Sequence, residues 1–258
     1  MDYISCEDAI KLSGLRLVLS AGSPNPWGES AKNLFHVKRV PFVAVRHQGM
    51  GDNNEIFAWT GTRNAPVAMF NDEKPRHAWI EILYLAERLG DGDPLLPVDR
   101  EGQIESIGLS HQICGEDGLG WNRRLDLFHM QVQAAGGDVT KTILPARMFR
   151  DFNGTPAGMA ESTGRAIEIL RMLDARLVRQ RALGSKYLVG DHLTACDIYL
   201  ASFMGMLAPL PPEVCPMPEM IRQFYCSGEV GLRQAVTPTL LAHRDFIYAS
   251  YLKLPMDF

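Results

Sequence analysis

Between Leu15 and Val45 the chain reads strand, helix, strand, and this run narrows the possible folds more than any other stretch. Leu15 to Leu19 alternate Leu with Arg or Val and stop at Ser-Ala-Gly-Ser-Pro-Asn-Pro, which has the composition of a turn. From Trp27 the apolar residues Trp27, Ala31, Leu34 and Phe35 recur at helical spacing, with Glu29, Lys32, Asn33 and His36 between them. Pro41 to Val45 reads as a second strand. A strand that returns after one helix favours parallel pairing, so this half is α/β. A Gly- and Asn-rich loop over Gly49 to Asn54 precedes a short helix near Glu55 to Thr60 and a third strand in Ala65-Pro-Val-Ala-Met-Phe70. Asn71-Asp-Glu-Lys is a turn, and Trp79, Ile82, Leu83, Ala86 and Leu89 form the buried stripe of a further helix.

Gly90-Asp-Gly-Asp-Pro-Leu-Leu-Pro97 reads as a linker, and few strand signals follow it. Ala166, Leu170, Leu173 and Leu177 mark the longest helix, over about Ala157 to Leu183. In Leu193-Thr-Ala-Cys-Asp-Ile198 the spacing predicts a capping box between Thr194 and Asp197, with Leu193 and Ile198 as hydrophobic staple, so that a helix begins at Ala195. The 258 residues suffice for two modest cores, and no apolar run is long enough for a membrane span. The first residues lack the layout of a signal peptide, which predicts a cytosolic protein. Five cysteines without CxxC or metal-type spacing argue against a disulfide framework and for no bound metal. A net charge of -4 without long charge runs gives no footprint for nucleic acid or anionic lipid.

Three segments resemble the glutathione S-transferase family, and the match runs from about Leu15 to Leu207. Tyr187-Leu-Val-Gly-Asp-His-Leu-Thr-Ala-Cys-Asp-Ile-Tyr-Leu-Ala201 is similar to the family's entry into its core helix. Ala65-Pro66 precedes a strand and then, at a family-like distance, Tyr84-Leu-Ala-Glu-Arg-Leu89; Pro66 would be the cis-proline. Lys38-Arg-Val-Pro-Phe42 closes the first helix as the family's Lys-Gly-Ile-Pro-Tyr type of segment does. The resemblance implies a thioredoxin-like domain over residues 1–90, with a short N-terminal extension, and an all-helical bundle over residues 98–258.

The family's chemistry requires groups that favour the thiolate of glutathione, because the thiolate is the nucleophile. The resemblance places Asn25 where relatives carry Ser or Cys, with Ser23 as alternative hydroxyl donor and Ser20 as a third. Asn25 can donate from its amide but cannot form a mixed disulfide, so Cys-dependent thiol transfer is not expected. Ala65, before Pro66, matches the position whose backbone contacts the cysteinyl part of glutathione. His77 and Ala78 stand where relatives place an acidic residue and a Ser for the γ-glutamyl group; His77 or Arg76 would then meet its carboxylate. Gly108 to Met130, with Trp121, Arg123, Arg124, Phe128 and Met130, would wall the pocket of a small apolar electrophile. The resemblance thus implies conjugation of glutathione, as co-substrate, by a homodimer. The altered γ-glutamyl pair keeps two other outcomes open, a non-catalytic binding or interaction protein and a glutathione-dependent isomerase or dehalogenase.

Overall fold

The computed structural model describes residues 1–49, 51–142 and 154–258. Its α/β part runs β1 (Tyr3–Ile4), α1 (Cys6–Ile10), β2 (Leu15–Ser20), α2 (Pro26–Val37), β3 (Val43–His47), α3 (Asn54–Thr60), β4 (Val67–Phe70) and α4 (Trp79–Leu89). The helical part comprises α5 (Arg100–Cys114), α6 (Leu119–Ala134), α7 (Pro156–Ala182), α8 (Ala195–Phe203), α9 (Glu219–Cys226), α10 (Val230–Ala235) and α11 (Pro238–Tyr251).

The sheet order is β1-β3-β2-β4, with β2 parallel to β3 and antiparallel to β4. The parallel pair is the expected product of the strand-helix-strand run. Both later strands start two residues inside their expected bounds, after Phe42 and Pro66. Pro41 and Pro66 carry no N–H for a ladder and mark the approach to a strand rather than its body. The edge strand β1 and helix α1 had no counterpart in the reading of sequence pattern. Two residues are too few to alternate, and β1 exists through its pairing of Tyr3 with Ala44 and Ile4 with Val45.

Leu15, Leu17 and Leu19 point to one side of β2 and join Leu34 and Phe35 of α2 and Ile82 and Leu83 of α4 in the main core. Arg16, Val18 and Ser20 point to the other, where Val18 meets Val45, Ile56 and Val67 beneath α3. The main core continues into the helical part through Ile113, Leu170, Leu173, Ile198, Tyr199 and Phe203. The linker is pinned to α2. Buried Lys38 Nζ donates to the carbonyls of Gly92 (2.7 Å) and Asp93 (3.1 Å), while the Leu95 N–H donates to Glu87 Oε1 (2.7 Å). A side chain at Gly92 would run into the Val37 carbonyl 2.6 Å away, so the linker's close approach to α2 requires glycine.

Helix α8 starts where the capping box sets it. The Asp197 carboxylate accepts from the Thr194 N–H (2.9 Å) and hydroxyl (2.9 Å) and from the Leu188 N–H (2.8 Å), all in the interior. Helix α7, at 27 residues the longest, begins at a Thr155 cap with Pro156 in its first turn, as helix starts favour. Among the described residues no helix is long and apolar enough to cross a membrane, and no group of three or more His, Cys, Asp or Glu is gathered for a metal. All five cysteines are free thiols.

Candidate functional site

One end of the sheet collects the residues singled out from sequence. Strand β2 ends at Ser20 and leads through Ala21–Pro24 to Asn25, the N-cap of α2. The antiparallel ladder ends with Val18 against Val67, so Ala65-Pro66 enters β4 at the end of the sheet where β2 stops. The Ala65-Pro66 peptide is cis. Arg76 makes a two-bond antiparallel bridge to Ala68 (2.8 and 3.0 Å), so the chain from Arg76 into α4 runs back toward the Pro66 end of β4. Helix α4 then begins at Trp79, with Ala78 as N-cap. The starts of α2 and α4 and the cis-proline strand therefore share one rim.

Asn25 is half-buried, and its Oδ1 accepts from the Trp27 N–H at 3.1 Å. The oxygen is spent on capping the helix, and the amide NH2 remains as the donor of the side chain. The Ser23 carbonyl accepts from the Asn25 N–H (2.9 Å), which closes the turn and leaves the Ser23 hydroxyl on the same loop. Ser20 lies on the opposite side of the sheet from the α2 core, where its hydroxyl meets His47 Nδ1 at 3.2 Å.

At the other helix start His77 is exposed and Ala78 offers no side-chain cap. Arg76 is already engaged by acceptors of the chain. Its guanidinium pairs with Glu73 (2.6 Å) and the Lys74 carbonyl, and Glu73 is shared with Arg88 (2.6 Å). Sequence reasoning missed Glu81, the third residue of α4. Burial pushes its pKa up, but the Lys74 ammonium at 3.0 Å and the backbone amides of Ala78 and His77 outweigh this and lower it. The carboxylate thus reaches back over the helix start, an anion supplied by the chain itself to amides that favour one. Its spacing from Ala78 is that of a capping box, the signal that could have found it.

The helical part meets this rim at Trp27. The indole Nε1 donates to the Cys114 carbonyl (2.9 Å), Phe203 stacks edge-on at 4.7 Å, and the Arg124 guanidinium lies 4.1 Å from the ring centroid. Burial lowers the pKa of half-buried Arg124 to about 10, and it stays a cation at neutral pH. Gly120 admits this packing, since a Cβ there would strike the Phe203 ring and touch Trp27 at 3.0 Å. The expected electrophile wall is corrected at two positions. Arg123 turns inward to Asp126 and the carbonyls of Met206 (3.0 Å), Tyr225 (2.9 Å) and Ser227 (2.5 Å), and Phe128 packs with Leu125, Val132 and Met159. Helix periodicity does not distinguish an arginine facing a cleft from one satisfied by carbonyls of distant segments.

Residues 146–224 match the family model described as "Glutathione S-transferase, C-terminal domain". No curated protein matches the chain. Among solved structures, the chain is similar to a glutathione S-transferase of Methylobacillus flagellatus with glutathione bound, at 15% identity over 91% of this chain and 95% of that one, TM-score 0.65. It is also similar to a glutathione S-transferase of Methylobacterium radiotolerans in complex with glutathione sulfonate, at 18% identity over 92% of each chain, TM-score 0.61. A maleylacetoacetate isomerase from Methylobacterium extorquens with bound malonate and glutathione aligns at 13% identity over 90% of this chain and 96% of that one, TM-score 0.53.

Proposed function

We propose that this chain, whose fold and C-terminal domain are those of the glutathione S-transferase family, binds glutathione as co-substrate and adds its thiolate to a small electrophile. The observation that carries the reading is the shared rim: the Asn25-capped start of α2, the cis Ala65-Pro66 strand and the start of α4 lie at one end of one sheet. In this reading the Ala65 backbone meets the cysteinyl part of glutathione. The thiolate lies against the Asn25 amide NH2, with Ser23 as the second donor, in the positive field at the start of α2. Rate enhancement comes from a lowered thiol pKa and from holding both reactants together. Residues 1–90 form the glutathione-binding domain and residues 98–258 the helical domain that completes the electrophile pocket. The protein acts as a cytosolic homodimer. An isomerase or dehalogenase reaction on the same thiolate shares every feature named here.

Glu81 favours the second reading, a non-catalytic member of the fold, because its carboxylate competes with the γ-glutamyl carboxylate for the start of α4. Retention on immobilised glutathione, or a rise in melting temperature with millimolar glutathione, separates the two readings, since binding to the native state alone stabilises it. Failure of both assays would overturn the enzyme reading. If glutathione binds, conjugation rates for Asn25→Ala and Ser23→Ala identify the sulfur donor. Unchanged rates in both variants would refute the assigned site.

A further inference from the structure

Helix α2 buries the face that its periodicity assigns to water. Glu29, Lys32 and Asn33 share one side of the helix and are only 5%, 7% and 5% exposed. Met1 and Asp2, the approach to and start of β3, and Lys253, Met256 and Asp257 surround this face and leave a pocket of about 740 Å³, within the size range of small-molecule sites. Neither Asn25, Ala65 nor His77 lines it.

The polar groups of the pocket are unevenly satisfied. Lys32 Nζ donates to Glu29 Oε1 (2.7 Å) and to the Asp257 carbonyl (2.5 Å), and Lys253 donates to Asp257 Oδ2 (2.9 Å). Both lysine ammonium groups are thus engaged by acceptors of the chain, and the N-terminal ammonium of Met1, also in the lining, acts on Asp257. Glu29 uses one oxygen, Oε1, on Lys32 (2.7 Å) and has the other left for a ligand; burial, with Asp257 nearby, raises its pKa to about 7. Asn33 lines the pocket, yet among the described residues its side-chain amide makes no hydrogen bond. The amide therefore opens onto the pocket with its donor and acceptor both uncommitted to the chain. Asp2 adds another carboxylate to the lining, and Val40, Phe42 and Met256 supply an apolar side.

We propose that this pocket is a second ligand site, apart from the thiolate site, and that it takes a small amphiphilic amine. The ammonium donates to the free oxygen of Glu29 and to the amide oxygen of Asn33, and the hydrocarbon body packs against Val40, Phe42 and Met256. An anionic ligand would face Glu29, Asp2 and Asp257, would have to displace carboxylate or carbonyl oxygens from the lysines, and would compete with Asp257 for the Met1 ammonium.

The test is calorimetric titration of the full chain with 2-phenylethylamine, 2-phenylethanol and phenylacetate, which share a ring and differ in the polar end. The amine is expected to bind saturably, the alcohol about tenfold more weakly and the acid not at all, as loss of a charged hydrogen bond implies. Asn33→Ala removes no protein hydrogen bond, so it should fold normally and weaken the amine about fivefold. Asn25→Ala should leave amine affinity unchanged. No amine binding at about 10 mM, equal binding of the acid, or an indifferent Asn33→Ala would each overturn the proposal. Loss of amine binding in Asn25→Ala would also overturn it, by placing the ligand in the thiolate site.

Discussion

At the scale of single residues, Asn25 has two roles that separate chemically. Its oxygen caps α2 and its NH2 is the proposed thiolate donor. Asn25→Asp keeps a capping acceptor but replaces the donor by a negative charge, whereas Asn25→Ala removes both. We expect Asn25→Ala to lose about 1 kcal/mol of stability and Asn25→Asp to lose almost none. Both variants should lower the conjugation rate, and Asp should shift the pH–rate profile to higher pH by repelling the thiolate. Urea melts and rate profiles check the two halves independently. Glu29 makes a different prediction. Its folded pKa, about 7, lies above its ordinary 4.5, so the folded state binds more protons than the unfolded state between those values. Stability should therefore be full below about pH 4.5 as far as this group is concerned, and should fall as pH rises toward 7, by at most about 3 kcal/mol. Glu29→Gln, a permanently neutral side chain, should flatten the slope in urea melts at pH 5 and pH 8; an unchanged slope would mean that another group causes it.

At the scale of elements, the proposed glutathione site is tested at the start of α4. Glu81 bends back toward the amides of His77 and Ala78, with Lys74 beside it. Glu81→Gln removes the competing charge while keeping a polar side chain of the same length. If the γ-glutamyl carboxylate binds there, the variant should bind glutathione several-fold more tightly, by the 0.3–1 kcal/mol or so that a charge at a helix start is worth. Equal or weaker affinity in calorimetry would place that carboxylate elsewhere. Elements were legible from the sequence where they are written locally. The strand-helix-strand run, the 27-residue helix and the Thr194–Asp197 box each lie within one stretch of chain. Less legible were features formed by distant partners: β1, defined by Ala44 and Val45; Arg123, satisfied by Met206, Tyr225 and Ser227; and the buried polar face of α2, enclosed by residues more than 200 positions later. The same division applies to the rim. Asn25 and Ala65-Pro66 were placed by motif, whereas the commitments of Arg76 and Glu81 depend on side-chain directions that no spacing rule supplies.

At the scale of the whole molecule, the α/β and helical parts share a core rather than merely touching. Leu17, Leu34 and Leu83 belong to the same apolar cluster as Leu170, Tyr199 and Phe203, and Trp27 and Trp79 add hydrogen bonds across the boundary, from Trp27 to the Cys114 carbonyl (2.9 Å) and from the Tyr199 hydroxyl to the Trp79 carbonyl (3.2 Å). Unfolding either part alone would expose the inner face of the other, so thermal unfolding should be one transition with equal calorimetric and van't Hoff enthalpies. Lys38 tests this coupling where it crosses the linker. Its ammonium is buried and holds the carbonyls of Gly92 and Asp93 and the carboxylate of Glu87, so Lys38→Met would fill the aliphatic space and leave those acceptors without their donor. A cost of about 2–4 kcal/mol follows from breaking a buried charged network. Because the apolar core remains continuous, that loss should lower the midpoint of a still single transition. If Lys38→Met instead unfolded in two steps, the linker rather than the shared core would be what makes the two parts unfold together.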